Sequence, residues 1–135
     1  MMKAYIPLAA LGVGLAVVAC TPSPKYAGEQ LYKENCTSCH GDSGRGDGPI
    51  SDQLEAPAPD LTLITQRNGG DFPIVDVMST IDGYSRARIG DLVMPEFGQE
   101  LQAGPLVFLD TGDGSKTPTP TRLFALAEYL RSIQR

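Results

Sequence analysis

Cys36-Thr37-Ser38-Cys39-His40 is the stretch from which the rest of this chain is read. Two thiols on one helical turn, followed at once by a histidine, form the pattern that bonds a c-type haem through two thioethers and aims an imidazole at its iron. The competing chemistries need more than these five residues supply. A thioredoxin-like C-x-x-C needs a βαβ setting, and a closed zinc site needs four ligands. The chain holds 3 cysteines and 1 histidine, so a zinc site built on Cys36 and Cys39 has to recruit Cys20 or a carboxylate. Haem is the preferred reading, with zinc and a bare dithiol open beside it.

Upstream of the motif the pattern is helical from about Tyr26. Ala27 and Leu31 share one stripe, Gly28 and Tyr32 the next, and Gln30, Lys33 and Glu34 face water. That helix delivers the chain into Cys36. Downstream, Gly41-Asp42-Ser43-Gly44-Arg45-Gly46-Asp47-Gly48-Pro49 is too rich in glycine to be anything but a loop. No strand precedes it and no Gly-Lys-Ser/Thr closes it, which sets aside a phosphate-binding loop. Backbone that runs against a flat macrocycle is best made of residues without a Cβ.

Farther out, Pro57-Ala58-Pro59 sets up a turn and Asp60 is a candidate N-cap for a short helix through Leu61, Leu63 and Ile64. Asn68-Gly69-Gly70 stops it. Ile74, Val77, Met78 and Ile81 then fall on one face of a helix ending at Gly83. Tyr84 to Val93 is irregular and leads into Met94-Pro95. Leu106 to Leu109 is a short apolar run, a buried turn or a stub of strand, and Asp110 to Thr121 reads as a polar loop. Its Asp-Thr-Gly-Asp-Gly-Ser has the look of a calcium loop, but the twelfth position, where a carboxylate is needed, is Thr121, so a turn is preferred. The last helix has Thr119 as N-cap, Pro120 at its first position and Leu123, Leu126, Ala127, Leu130 and Ile133 on a wide apolar face.

Composition sets the bounds. A chain of 135 residues with 15 glycines, 11 prolines, no Trp and 7% aromatics has room for one small, loop-rich domain that closes its own core poorly. A haem supplies the apolar surface that the side chains lack. A net charge of −5 argues against nucleic acid as a partner.

Residues 1–19 read as a secretory signal: Lys3 gives the positive start, and the uncharged run from Ile6 to Ala19 is shorter than the roughly 20 residues that span a bilayer. Val17-Val18-Ala19-Cys20 resembles a bacterial lipobox, which makes Cys20 the lipidated N-terminus and anchors the protein to a membrane. Ordinary cleavage after Ala19, leaving a free thiol, is the alternative. Residues 20–25 are then a tether and 26–135 the domain. On this reading Cys20 takes lipid, and Cys36 and Cys39 take haem.

A helix with Gly28 and Tyr32 four apart, the C-x-x-C-H motif, Gly48-Pro49, a late Met94-Pro95 and a terminal helix carrying Leu126 and Tyr129 follow one another in the order of a class I monohaem cytochrome c, and the chain resembles that family from about Tyr26 to its end. The resemblance implies an all-α fold, a few helices wrapped around one covalently bound haem, with Gly28 and Tyr32 crossing Leu126 and Tyr129. It implies that His40 ligates the iron and that the carbonyl of Pro49 accepts a hydrogen bond from its other ring nitrogen. Met94 matches the family's Met-Pro and is the expected second ligand. Elimination agrees: His40 is the sole histidine, Met1 and Met2 leave with the signal, and Met78 lies on an apolar helix face. The function expected is one-electron carriage between redox proteins in the bacterial periplasm or at a membrane surface. A dedicated haem subunit of an oxidase or dehydrogenase complex is the alternative, and an enzyme with an open iron position is a third reading. The polar insertion from Asp110 to Thr121 departs from the compact members of the family and offers a docking surface.

Overall fold

A computed structural model describes residues 23–85, 94–112 and 114–135. The expected signal, Cys20, the first part of the tether and the stretch from 86 to 93 lie outside the described residues. The order of elements is α1 (Pro24–Asn35), α2 (Thr37–His40), two 3₁₀ turns (Ser51–Gln53 and Leu61–Leu63), α3 (Ile64–Arg67), α4 (Ile74–Asp82), α5 (Gly98–Leu101), β1 (Leu106–Asp110), β2 (Lys116–Pro120) and α6 (Thr121–Ser132).

The first and last helices form the frame. Helix α1 starts two residues before the sequence pattern suggests, because Ser23 accepts a hydrogen bond from the Tyr26 N–H and Pro24 suits the first helical position. Pro24 and Lys25 therefore belong to the helix rather than to the tether. Gly28, Leu31 and Tyr32 are its buried face, and they meet Ala125, Leu126 and Tyr129 of α6. At Gly28 an added Cβ would fall on the Ala125 carbonyl, so only glycine lets the helices come this close. Beside it the rings of Tyr32 and Tyr129 lie 5.2 Å apart, tilted by 45°. This pairing of Gly28 and Tyr32 with the last helix is as the resemblance implied. The third wall is α4, whose Val77, Met78 and Ile81 are buried as their spacing requires. Gly83 ends it in the left-handed conformation, at φ 91°.

The fold is not wholly helical. Leu106–Asp110 and Lys116–Pro120 pair as an antiparallel hairpin, with Phe108 opposite Pro118 and Val107 opposite Thr119. The second half of the expected polar loop is thus a strand. Its prolines alternate with threonines, and a proline on the outer edge of a two-stranded ribbon forfeits no ladder bond. The turn between the strands is held by the Gly112 N–H on the Asp110 carboxylate. The hairpin also shifts the start of α6. Thr119 is buried within β2 and is not the N-cap. The helix begins at Thr121, whose N–H and hydroxyl both donate to the Pro105 carbonyl, at 3.0 and 2.7 Å. A carbonyl from the hairpin's other leg thereby stands in for a capping side chain at one of the open donors of the first turn.

Candidate haem site

The motif forms a single helical turn at the end of α1. The Cys36 N–H continues the α1 ladder to Tyr32, and Cys39 and His40 both donate their N–H to the Cys36 carbonyl, at 3.3 and 2.9 Å. Both sulfurs and the imidazole therefore issue from one rigid turn. The carbonyls of Ser38, Cys39 and His40 have no later helical residues to bond. The glycine loop folds back to meet them: Ile50 donates to Ser38, Gly48 to Cys39 and Gly46 to His40, at 3.1, 3.2 and 2.9 Å.

His40 is 93% buried. Its Nδ1 lies 3.1 Å from the carbonyl oxygen of Pro59. A carbonyl can only accept, so the ring proton sits on Nδ1 and Nε2 keeps its lone pair for a metal. Burial pushes the His40 pKa below its ordinary value, against the smaller opposing pull of the Pro59 carbonyl. The ring is thus held neutral, the form in which imidazole binds iron.

The acceptor is Pro59 and not Pro49. Pro49 is exposed and lines a shallow surface hollow with Ser38, Asp42 and Asp47. The Gly48 N–H is spent on the Cys39 carbonyl, and this ties the Gly48-Pro49 corner beneath the motif helix. The chain reaches the His40 ring only on its next pass, through Pro57-Ala58-Pro59. At Gly46, with φ 82°, an added Cβ would strike the Ala58 carbonyl. The need for glycine there comes from the protein's own backbone.

Cys36 is poorly suited to redox exchange. Cys36 is largely desolvated, and burial, followed by the neighbouring Cys39, pushes its pKa up to about 12. A disulfide oxidoreductase needs the opposite shift. Among the described residues no group of three or more His, Cys, Asp or Glu is placed to hold a metal ion, so Cys36 and Cys39 have no zinc partners there. Of the two candidate methionines, Met78 is 94% buried within the hydrophobic core. Met94 is only half-buried and packs against the same cluster as Cys36.

Tyr32 closes the rear of the site. It is completely buried, and its hydroxyl donates to the Gly41 carbonyl at 2.7 Å. Desolvation pushes its ionisation far above the usual tyrosine range. A second set of bonds fixes the segment after Pro59. Asp60 accepts from the Thr62 N–H and hydroxyl, Arg135 reaches the Asp60 carboxylate at 3.0 Å, and Gln134 donates to the Leu61 carbonyl. Sequence reading gave Asp60 its capping role. It missed Ser51, Pro59, Gln134 and Arg135, whose roles depend on chain segments brought together from far apart.

A comparison with curated proteins finds no match. Among solved structures the chain is similar to one from Kuenenia stuttgartiensis described as a reducing HAO-like protein complex, Kustc0457/Kustc0458, at 24% identity and a TM-score of 0.55. The match covers 97% of this chain and 52% of that one, so the chain spans about half the length of the structure it resembles. The cytochrome c family profile matches residues 26–97, more than half of the sequence and the part that contains both the motif and Met94. With the motif on one helical turn and its buried histidine held through Nδ1, the chain belongs to the cytochrome c family and carries covalently bound haem c.

Proposed function

We propose that this protein is a one-electron carrier whose haem is bonded through Cys36 and Cys39 and ligated by His40 and Met94. The observation that carries the reading is the His40 Nδ1 to Pro59 carbonyl bond on the residue that follows the second thiol. It fixes the tautomer, leaves Nε2 as the donor atom and strengthens that donor. Haem c supplies reversible one-electron chemistry at iron. The protein's share is to hold the ligands, exclude water and set the potential. A soft thioether from Met94 favours reduced iron and raises the potential relative to two histidines.

The chain works in the bacterial periplasm or at the outer face of a membrane, since thioether attachment follows export, and lipid on Cys20 tethers it there. Two acyl signals at about 0.8 kcal/mol per buried CH₂ suffice for stable anchoring. A mass spectrum of the denatured protein, made with the haem-attachment machinery, should show one retained haem and a lipid-modified Cys20. The bare polypeptide mass refutes covalent attachment, and an unmodified N-terminus refutes the tether. The near-infrared sulfur-to-iron band of the oxidised protein should vanish in Met94→Ala and persist in Met78→Leu. The reverse pattern assigns the iron to Met78.

A second reading, a haem subunit committed to one oxidoreductase complex, draws support from the hairpin. Leu106 and Phe108 are 53% and 66% exposed on one face of β1, an apolar surface of the kind that partners cover. The similar structure from Kuenenia stuttgartiensis is itself a complex. Co-purification of a partner from solubilised membranes, lost in Phe108→Ser, favours the subunit. A protein that runs free and exchanges electrons with soluble acceptors favours the carrier.

A further inference from the structure

We propose that Ser51 is a positioning residue for the iron's histidine, acting through the carbonyl that His40 bonds. The inference rests on the reading of His40 as an axial ligand. Ser51 is 95% buried without being part of the apolar core, in a turn the haem motif does not include. Its hydroxyl donates to the Gly46 carbonyl at 2.6 Å and accepts the Ala58 N–H at 3.2 Å. One side chain thereby joins two passes of backbone, each of which leads to a bond with His40.

Both ends of this staple lead to His40. Gly46, on one side, donates its own N–H to the His40 carbonyl. Ala58, on the other, immediately precedes Pro59, whose carbonyl accepts from Nδ1. The segment Pro57-Ala58-Pro59 has a single backbone donor, because neither proline has an N–H. That donor goes to Ser51. Without the hydroxyl, the Ala58 N–H loses its partner, so that among the described residues no backbone donor ties the segment on the near side, and the partly buried Gly46 carbonyl loses the Ser51 hydroxyl. The far side stays fixed through Asp60, where Arg67 holds the carbonyl at 2.7 Å and Arg135 the carboxylate. The Pro59 carbonyl therefore swings on one anchored end. Its bond to Nδ1 loosens, the imidazole becomes a poorer donor, and oxidised iron is less stabilised.

The test uses the full haem-bearing chain. In Ser51→Ala the midpoint potential should rise, with at least a threefold change in the ratio of reduced to oxidised protein at fixed potential, which is about 28 mV at about 59 mV per tenfold for one electron. Hydrogen exchange of the His40 Nδ1–H in the reduced protein should quicken about tenfold. Ser51→Thr, which keeps the hydroxyl, should restore both. Ile81→Val, which thins the apolar core, to which none of the staple residues belongs, should lower stability and move neither. A Ser51→Ala protein that loses stability yet keeps its potential and its Nδ1–H exchange overturns the proposal, as does Ile81→Val shifting the potential equally. Should Ser51→Ala fail to fold, the wild-type protein decides: the Ala58 amide must be strongly protected from exchange, and a freely exchanging Ala58 amide overturns the staple. The ligand reading fails separately, by the absence from the reduced wild-type spectrum of strongly ring-current-shifted His40 ring protons.

Discussion

Replacing Gly28 by alanine tests the frame on which the haem motif is hung. In an open helix the change is favourable by about 1 kcal/mol, because alanine loses less backbone entropy. Here the new Cβ would meet the Ala125 carbonyl oxygen and carbon and the Cβ of Tyr129. None of these is the far end of a flexible side chain, so relief requires α1 and α6 to move apart. Overpacking of this kind costs about 1 to 3 kcal/mol, and the rigidity of the obstacle puts Gly28 at the upper end. Subtracting the helical gain leaves a net loss of about 2 kcal/mol. At roughly 4 °C per kcal/mol for a domain of this size, the melting temperature falls by about 8 °C. Thermal unfolding of the haem-bearing protein, followed by circular dichroism at 222 nm, measures it. Near-ultraviolet bands from Tyr32 and Tyr129, whose rings are in contact, should change with it. A melting temperature that rises, as it would at a solvent-facing helical glycine, refutes the close-approach argument.

Tyr32→Phe should lower stability by about 1 to 2 kcal/mol in urea titration, since it strands the Gly41 carbonyl without its buried donor, and an unchanged midpoint refutes that bond. Asp60→Asn should flatten the acid limb of the stability curve. The Asp60 carboxyl is held below its ordinary value of 3.8, first by the Thr62 hydroxyl, with the Thr62 N–H and Arg135 adding to it. Its contribution is present above that ordinary value and is lost as pH falls through the lowered folded one. The loss at neutral pH should not exceed about 1 kcal/mol, because the pair is open to solvent. Wild-type and variant curves that run parallel between about pH 5 and 2 refute the coupling.

What the sequence determined by itself is what depends on near neighbours along the chain. Cys36, Cys39 and His40 share one turn because helical spacing puts them there. The buried faces of α1, α4 and α6 follow from apolar spacing, and Asp60 caps its turn because its side chain reaches two residues ahead. What only the tertiary structure decided is whatever depends on which distant segments meet. The family resemblance points to Pro49 as the acceptor, and the choice of Pro59 instead turns on the path of a loop pinned by Gly46, Ser51 and the Leu61 N–H on Gly44. Strand β2 carries no apolar alternation, only threonines between prolines, so its pairing with Leu106–Asp110 shows once the partner is in place. The start of α6 moved for the same reason: Thr119 has cap chemistry, but the hairpin claimed it and the Pro105 carbonyl took over the bonding at Thr121. A hydrogen bond between residues 19 or 75 positions apart, such as His40 to Pro59 or Asp60 to Arg135, leaves no periodic mark on either segment. Its energy is realised only after the core has brought the two ends together.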